Sequence, residues 1–546
     1  MDKKTIIALI LIFVVFYLSS KYFWKQPAPP QTQQSTTESV DPVKKTPKPA
    51  SSETKEDTEM DLSLLGIKSE VPLNDAIILE NEDIKVILTN RGGNIKQVIL
   101  KNIKNETRED PVNLFIKEKG MFNTVFYTSS DTINLGNHIF NRDNSYDEFT
   151  AAFYIEKDGK RIFEKRYSLD NNHTLNVTII ANDMGFIDAY DIQLDAGIYY
   201  DQQGDKRFST YIDVVSYVDN KIDKINLKKA ASGASQYGNI TWTALKSKYF
   251  MVATIPERTV KLREIFVSAD NNAIMENARV EVGRNSIDHS FQLYCGPVDY
   301  DRLRSFNIGL EDSMNFGWKL IRPISKLILK LLKFIYSLIP NYGIAIILLS
   351  IVIKFVFYPL THKSFTSAQK MQRVQPHLKE LQAKYKGNPQ KLQKETMKLY
   401  KEHGVSPLGG CLPLLIQFPF LFALYPVLQS TIELRHAGFI FWLKDLSIPD
   451  PYYILPILMG ITMFFQQKLM SQKQTPNMDE KQLAQLKTQK FMMYGMPIFF
   501  VFIFKSLPAG LVLYWFMYNI LSVMEQLSIR KKTQARSQEI IVDKKK

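Results

Sequence analysis

The chain is poor in the residues that build metal centres, disulfide frameworks and nucleophilic active sites. Its 546 residues include only 2 cysteines and 7 histidines. No Cys-x-x-Cys, His-Glu-x-x-His, Gly-x-Ser-x-Gly or P-loop motif occurs in it. The sequence therefore predicts no metal site and no cofactor, and it favours a protein that is not an enzyme. Cys295 and Cys411 fall in regions that the topology below assigns to different compartments, so we expect no disulfide between them.

Acidic residues are scarce in the segments that flank the apolar runs, so the positive charge of the chain is concentrated in those segments. The net charge is +14. Residues 360–407 carry ten Lys or Arg and three acids, and residues 528–546 carry seven and two. Basic segments that flank apolar runs are typical of cytosolic loops and of contacts with anionic lipid or an RNA-rich partner. This pattern argues against a DNA-binding domain.

One lysine lies inside an apolar run long enough to cross a bilayer. The run at residues 343–360 reads GIAIILLSIVIKFVFYPL and contains Lys354. A cation at such a depth costs roughly 2.5–3.5 kcal/mol on insertion scales, so it is a candidate functional residue. Ser350, Lys354 and Tyr358 have i, i+4, i+8 spacing and therefore share one helix face. The alternative is that Lys354 only extends its ammonium to the headgroups.

Composition divides the chain into six regions. Residues 1–24 contain an apolar stretch behind two lysines, followed by aromatic and basic residues. We predict an uncleaved transmembrane signal-anchor there, with a cleaved signal peptide as the alternative. The other predicted regions are a disordered linker at 25–60, a β-sandwich domain at 61–312, a basic amphipathic interfacial helix at 313–340, a five-span core at 341–530 and a basic cytosolic tail at 531–546.

The region at 61–312 alternates apolar and polar residues in short segments. Residues 84–88, 174–179 and 278–282 show this period, and Asn, Asp and Gly clusters separate such segments. Many short strands predict a β-sandwich. A membrane-anchored carbohydrate-active enzyme could be built on this domain, but it would need paired carboxylates in a cleft. The spacing of the acids gives no sign of such a pair.

Four more apolar segments follow the run that contains Lys354, at 407–431, 452–469, 491–507 and 508–527. Together with that run and the N-terminal anchor they predict six transmembrane helices. The loops at 361–406 and 470–490 and the tail are basic and therefore cytosolic, whereas the loop at 432–451 is not. Both termini are then cytosolic, and residues 25–340 lie outside. Within the first cytosolic loop, residues 364–403 predict a helical hairpin that breaks at 387–389, where Asn388 and Pro389 start the second helix.

Several ordered motifs resemble those of the YidC-type membrane protein insertases, in the Gram-negative form with a large periplasmic domain. They are SPLGGCLPLLIQ at 406–417, DPYYILPILMG at 450–460, PAGLVLYW at 508–515 and YPLT at 358–361. The resemblance is close over about residues 320–530. It is weaker over 61–310, where position, size and β pattern carry it.

The resemblance implies a bacterial inner-membrane protein with a five-span core around a hydrophilic groove, open to cytosol and lipid, and a periplasmic β-supersandwich. Lys354 matches the groove cation, which is usually Arg in the family, and lysine lacks the planar fork that grips a carboxylate. Ser350, Gln417 and Trp515 match positions that line the groove or contact the substrate. Tyr358 and Asn519 extend the polar lining on the same helix faces.

These features favour an insertase and chaperone that integrates nascent inner-membrane proteins and helps them fold. The expected partners are nascent membrane proteins, the translating ribosome, the Sec translocon and anionic lipids. A secondary transporter that uses Lys354 is a second alternative. Transporters commonly contain internal repeats with paired broken helices, and the spans show no such repeat.

Overall fold

The computed structural model describes most of the chain beyond its N-terminal segment. The described residues are 76–116, 121–129, 131–195, 197–200, 208–270, 273–385, 387–404, 412–470 and 490–543. The predicted anchor at 1–24, the predicted linker at 25–60, Cys411 and most of the loop at 470–490 lie outside them.

The first half of the described chain consists of β-strands. The strands are β1 (Ala76–Glu80), β2 (Ile84–Thr89), β3 (Asn94–Lys104), β4 (Pro111–Asn113), β5 (Met121–Thr128), β6 (Thr132–Asn134), β7 (Asn141–Asp143), β8 (Thr150–Lys157), β9 (Lys160–Leu169), β10 (Thr174–Ala181), β11 (Ile187–Leu194), β12 (Asp213–Val218), β13 (Lys221–Asn226), β14 (Ala234–Lys246), β15 (Phe250–Pro256), β16 (Lys261–Asp270), β17 (Ala273–Arg284) and β18 (Ile287–Pro297).

These strands pair antiparallel and form one continuous hydrogen-bonded sheet. Consecutive strands pair along most of it, and long-range pairs such as β10 with β18 and β11 with β17 bring distant segments together. Burial alternates along the strands, as in β2, where every second residue is buried. Apolar side chains on the inward face therefore form one large core. The predicted β-rich domain is confirmed as a large antiparallel sheet.

A carboxylate is buried in this β domain with no ion-pair partner among the described residues. Glu276 of β17 is 0% exposed and lies on the same strand face as the buried residues Ile274 and Ala278. Burial, only partly offset by the hydroxyl of Thr243, raises the pKa of the Glu276 carboxyl to about 7. The folded protein therefore keeps this proton at a pH at which an unfolded chain releases it.

We predict that the β domain loses stability as the pH rises through 7. Because the pKa of Glu276 is raised on folding, its contribution is complete below about pH 4.5 and is lost, by roughly 3 kcal/mol, as the pH rises from there to about 7. Glu276→Gln, which is neutral throughout, should remove this dependence. Amide hydrogen exchange in β14 and β17 between pH 5 and 8, corrected for intrinsic rates, measures it. Glu281→Gln, an exposed acid on the same strand, is the control. An unchanged pH profile in Glu276→Gln would contradict the assignment.

Helices make up the second half of the described chain. The α-helices are α1 (Leu227–Ala230), α2 (Tyr300–Ser305), α3 (Arg322–Leu338), α4 (Tyr342–Lys384), α5 (Pro389–Glu402), α6 (Leu412–Ser430), α7 (Ile454–Met470), α8 (Met496–Phe504) and α9 (Ala509–Asp543). A π-helical turn at Phe491–Gly495 leads into α8.

Each of the five apolar segments predicted after residue 340 contains a helix, although the six-span count stays a prediction. Among the described residues, one helix is long and apolar enough to span a bilayer, at Tyr342–Met371. Two shorter apolar helices occur at Ile454–Leu469 and Met493–Phe504. The α4 helix also corrects the predicted boundary of the hairpin, because it runs unbroken through Pro359 into the loop. The second hairpin helix begins as predicted, with the Asn388 side chain accepting from Lys391 N.

The sequence predicts that α3 is a basic amphipathic helix at the membrane interface. In the structure, its lysines lie in two different environments. Lys333 Nζ lies 2.8 Å from a carboxylate oxygen of Asp299, 2.8 Å from one of Asp301 and 2.7 Å from one of Glu433. Burial opposes a charge there, but these carboxylates raise the pKa of Lys333 well above its usual range. Lys330 remains exposed. The charges of α3 therefore divide between the β domain and the surface.

The loop after α6 also binds the β domain. The Arg435 guanidinium donates to the backbone carbonyl of Lys104 at 2.6 Å, and Arg108 donates to the carbonyl of Lys444 at 2.8 Å. Glu433 of this loop shares Lys333 with the acids that follow β18. Polar contacts of this kind set the position of the sheet relative to the helices.

Candidate groove site around Lys354

Helices α4 and α9 place Lys354 on a buried face. Asn341 caps the start of α4 by accepting from Ile344 N at 3.0 Å. Ala345, Leu349 and Ile353 are buried along one side of the helix. Lys354 continues this inward side and is 7% exposed. Its ammonium is therefore held within the helical bundle.

The ammonium is paired with a carboxylate from the last helix. Lys354 Nζ lies 2.8 Å from Glu525 Oε2 and donates to Ser522 Oγ at 2.8 Å. Ser522 in turn donates to the backbone carbonyl of Tyr518 at 2.8 Å. Glu525 is also 7% exposed, so both charges are withdrawn from solvent. The site is a buried ion pair that joins α4 to α9.

Further contacts enclose both members of the pair. The Thr361 hydroxyl donates to Glu525 Oε1 at 2.9 Å. The Lys354 ammonium lies 4.8 Å from the centre of the Tyr518 ring and 5.7 Å from that of Phe365. Aromatic faces attract a cation through their quadrupoles. The ammonium therefore has a polar side toward α9 and an aromatic side.

Buried polar atoms with no protein partner lie on α9 next to this pair. They are Asn519 Nδ2 and both side-chain polar atoms of Gln526. Residues 519, 522 and 526 have spacings of three and four, so they lie on one side of the helix. Buried polar groups are nearly always hydrogen-bonded, and water supplies the partner when protein does not. The arrangement therefore favours water beside the Lys354–Glu525 pair.

The other predicted groove residues differ from one another in burial and in contacts. Ser350 is fully buried and donates to the carbonyl of Ile347 at 2.6 Å. Tyr358 is 44% exposed, so it lies at the edge of the polar face rather than inside it. Trp515 packs on Phe504, with ring centres 5.5 Å apart. Gln417 is half-buried in α6. Among the described residues, no polar contact joins any of these four to Lys354.

Glu525, Thr361 and Tyr518 are not among the site residues predicted from the sequence. In the last span only Trp515 and Asn519 are predicted, on a helix face that passes over the acid. The residues 518, 522 and 525 have equally good helical spacing. A lysine in an apolar segment usually pairs with an acid in another, and Glu525 is the one acid in the segment at 508–527. That signal could have identified the partner.

Comparison with known proteins shows two family matches along the chain. Residues 76–331 match the family described as the YidC periplasmic domain. Residues 334–537 match the family described as the 60Kd inner membrane protein. The membrane protein insertase YidC of Geotalea uraniireducens is 33% identical, over 97% of this chain and 99% of that protein. This chain belongs to the YidC family.

Other YidC proteins show the same relationship. The membrane protein insertase YidC of Chlorobaculum tepidum is 34% identical, over 84% of this chain and 82% of its own length. That of Citrifermentans bemidjiense is 41% identical, over 57% of this chain and 56% of its own length. A crystal structure titled as an active YidC insertase with its first transmembrane domain resolved has a TM-score of 0.35 at 17% identity, covering 85% of this chain and 95% of that one. The transporter and carbohydrate-active enzyme alternatives find no support among these YidC proteins.

We predict that the polar side of α9 keeps the groove wet. Asn519→Leu together with Gln526→Leu replaces buried polar atoms that have no protein partner, so thermal stability should be equal or higher. Insertion of a substrate with a polar translocated flank should fall roughly fivefold, since the flank loses hydration. Protease protection of the flank in membrane vesicles measures this.

Gln467→Leu is the matched control, because this half-buried glutamine lies on α7. It should leave insertion unchanged. If the α9 double variant also inserted polar flanks at the parental rate, water next to Lys354 would have no part in the process.

Proposed function

We propose that this chain integrates nascent membrane proteins into the bacterial inner membrane through a hydrophilic groove whose working charge is Lys354. Membership of the YidC family supports the insertase activity. The observation that supports the groove is a cation, 7% exposed, between helices that are otherwise apolar. Such a charge is costly in a bilayer and is retained where it acts on a substrate.

The groove lowers the barrier for a polar flank of the substrate. A nascent protein must carry that flank across the hydrocarbon, where each unpaired polar group costs several kcal/mol. A wet, charged recess shortens the apolar distance, and Lys354 gives an acidic flank a transient partner. Once the flank has crossed, the apolar segment of the substrate enters lipid and gains roughly 25 cal/mol per Å² of buried apolar surface. This burial drives the step without a nucleotide.

The same two helices offer an apolar path beside the pair. Phe355 and Val356 of α4 are 80% and 61% exposed, and Met524 of α9 is 61% exposed. In the sequence, Phe355 follows Lys354, Val356 follows Phe355, and Met524 precedes Glu525. A substrate helix on this surface keeps its polar flank near Lys354 while its apolar face contacts Phe355 and Met524. These positions support lateral release along α4 and α9.

The topology belongs to the same proposal. Six spans with both termini cytosolic place residues 25–340, including the β domain, in the periplasm. The distribution of Lys and Arg between loops supports this orientation. Anionic lipids and the Sec translocon are proposed partners of the helical half. Ser350, Tyr358, Gln417, Trp515 and Asn519 are proposed as groove-lining or substrate-contacting residues.

The proposed ribosome contact should depend on the basic face of α5 and on the tail. Ribosomal RNA is anionic, so binding releases counterions and weakens with salt. Co-sedimentation of the detergent-solubilised protein with ribosomes should fall between low and high salt. It should also fall when four exposed lysines are changed to Gln, namely Lys391, Lys394, Lys398 and Lys401. The control changes four exposed lysines of the β domain to Gln instead, namely Lys157, Lys160, Lys221 and Lys261. Binding that depended neither on salt nor on the lysines of α5 would exclude the ribosome as a partner.

The charge of Lys354 should matter in proportion to the acidity of the substrate. Lys354→Arg should retain insertion, whereas Lys354→Ala should lose it progressively as the translocated flank carries zero, one, two or three acids. Each carboxylate that crosses without a partner adds to the barrier, by roughly threefold in rate for a solvated pair. The measurement is complementation of depletion together with flank protection at matched protein levels.

Lys505→Ala is the control for this series, because it removes an exposed lysine at the end of α8. It should behave like the parent with every flank. Equal insertion of all flanks by Lys354→Ala and the parent would refute the electrostatic role, and a substrate unaffected by depletion would refute the insertase function itself.

A further inference from the structure

Lys354 already has a carboxylate partner that a substrate carboxylate would meet. An ammonium has three N–H donors. Among the described residues, Ser522 and Glu525 take two of them, each at 2.8 Å, and the rings of Tyr518 and Phe365 lie within 5.7 Å. A carboxylate that approaches Lys354 therefore competes with Glu525 for the same cation.

Replacing Glu525 by another carboxylate beside Lys354 is energetically feasible, whereas losing Glu525 without a replacement is not. Leaving a buried cation without its partner is strongly unfavourable, whereas replacing one carboxylate by another keeps the cation paired. The Thr361 hydroxyl contacts both oxygens of Glu525, Oε1 at 2.9 Å and Oε2 at 3.2 Å, so it helps to hold the carboxylate beside Lys354.

We propose that Glu525 occupies Lys354 in the empty groove and competes with the acidic flank of the substrate, so that it determines how strongly insertion depends on flank acidity. This inference rests on the proposed insertase function. A neutral flank leaves the pair intact and uses only the water beside it. An acidic flank gains Lys354 only to the extent that it outcompetes Glu525. The substrate class selected at this residue is a membrane protein with one or more carboxylates in its translocated flank.

The test is the ratio of insertion of a three-acid flank to that of a zero-acid flank on the same substrate. Glu525→Gln in the full chain removes the competing charge but keeps the side-chain shape. The ratio should rise roughly three- to tenfold above the parental ratio, since the acid no longer displaces a partner. In Glu525→Gln combined with Lys354→Met the ratio should fall below the parental value, because the cation is gone. Glu148→Gln, an exposed acid of the β domain, should leave the ratio at the parental value.

A second variant decides the matter if Glu525→Gln does not accumulate in the membrane. Thr361→Val keeps both charges and the side-chain size but removes the hydroxyl that holds Glu525 Oε1. It loosens the competitor, so the ratio should rise by a smaller factor, roughly twofold.

A purely structural role for Glu525 would have another signature. It would lower insertion of both flanks by the same factor, through protein level or helix packing, and leave the ratio unchanged. That result in Glu525→Gln, or in Thr361→Val where the first variant is absent, overturns the inference. Insertion of the zero-acid flank by the parent, compared with depleted cells, separately reports whether the proposed insertase function holds.

Discussion

The helical half of this protein depends on the pairing of one buried cation with one buried carboxylate. Lys354 and Glu525 are each 7% exposed, and 2.8 Å separates their charged atoms. Neither charge is tolerable alone among apolar helices, because desolvation of an unpaired ion exceeds most packing gains. The pair therefore sets the register of α4 against α9. Ser522 and Thr361 complete it with hydrogen bonds.

Buried ion pairs contribute little net stability compared with apolar residues of the same size. A pair retained in such a place is better explained by what its charges do. In the proposed insertase, Lys354 attracts an acidic flank and Glu525 limits how readily that happens. In the same proposal, the buried polar atoms of Asn519 and Gln526 offer hydrogen bonds to water that a flank without acids can use. The register of the two helices and the selectivity for the flank thus come from the same contacts.

The two halves of the chain satisfy their backbone polar groups in different ways. The β domain does so between strands, and its antiparallel ladder leaves an apolar interior in which burial raises the pKa of Glu276 to about 7. The membrane half must satisfy them within each segment, so it is helical. Charged contacts at Lys333 and Arg435 join the halves. These contacts use lysine and arginine that the loop and α3 would otherwise present to solvent or lipid.

Local pattern in the sequence was sufficient for the element types, the β-rich and helical halves, the start of α5 at Asn388, and the position of Lys354 inside an apolar helix. Alternation, apolar length and capping residues act over a few positions, so they can be read without the fold. The partner of Lys354 could not be read in this way. Ser522 lies 168 positions away, and only the packing of α4 on α9 brings that turn of the helix to the ammonium. The same holds for α3, whose sequence periodicity defined a basic face. Only the tertiary contacts decided that Lys333 meets three carboxylates, whereas Lys330 meets none among the described residues.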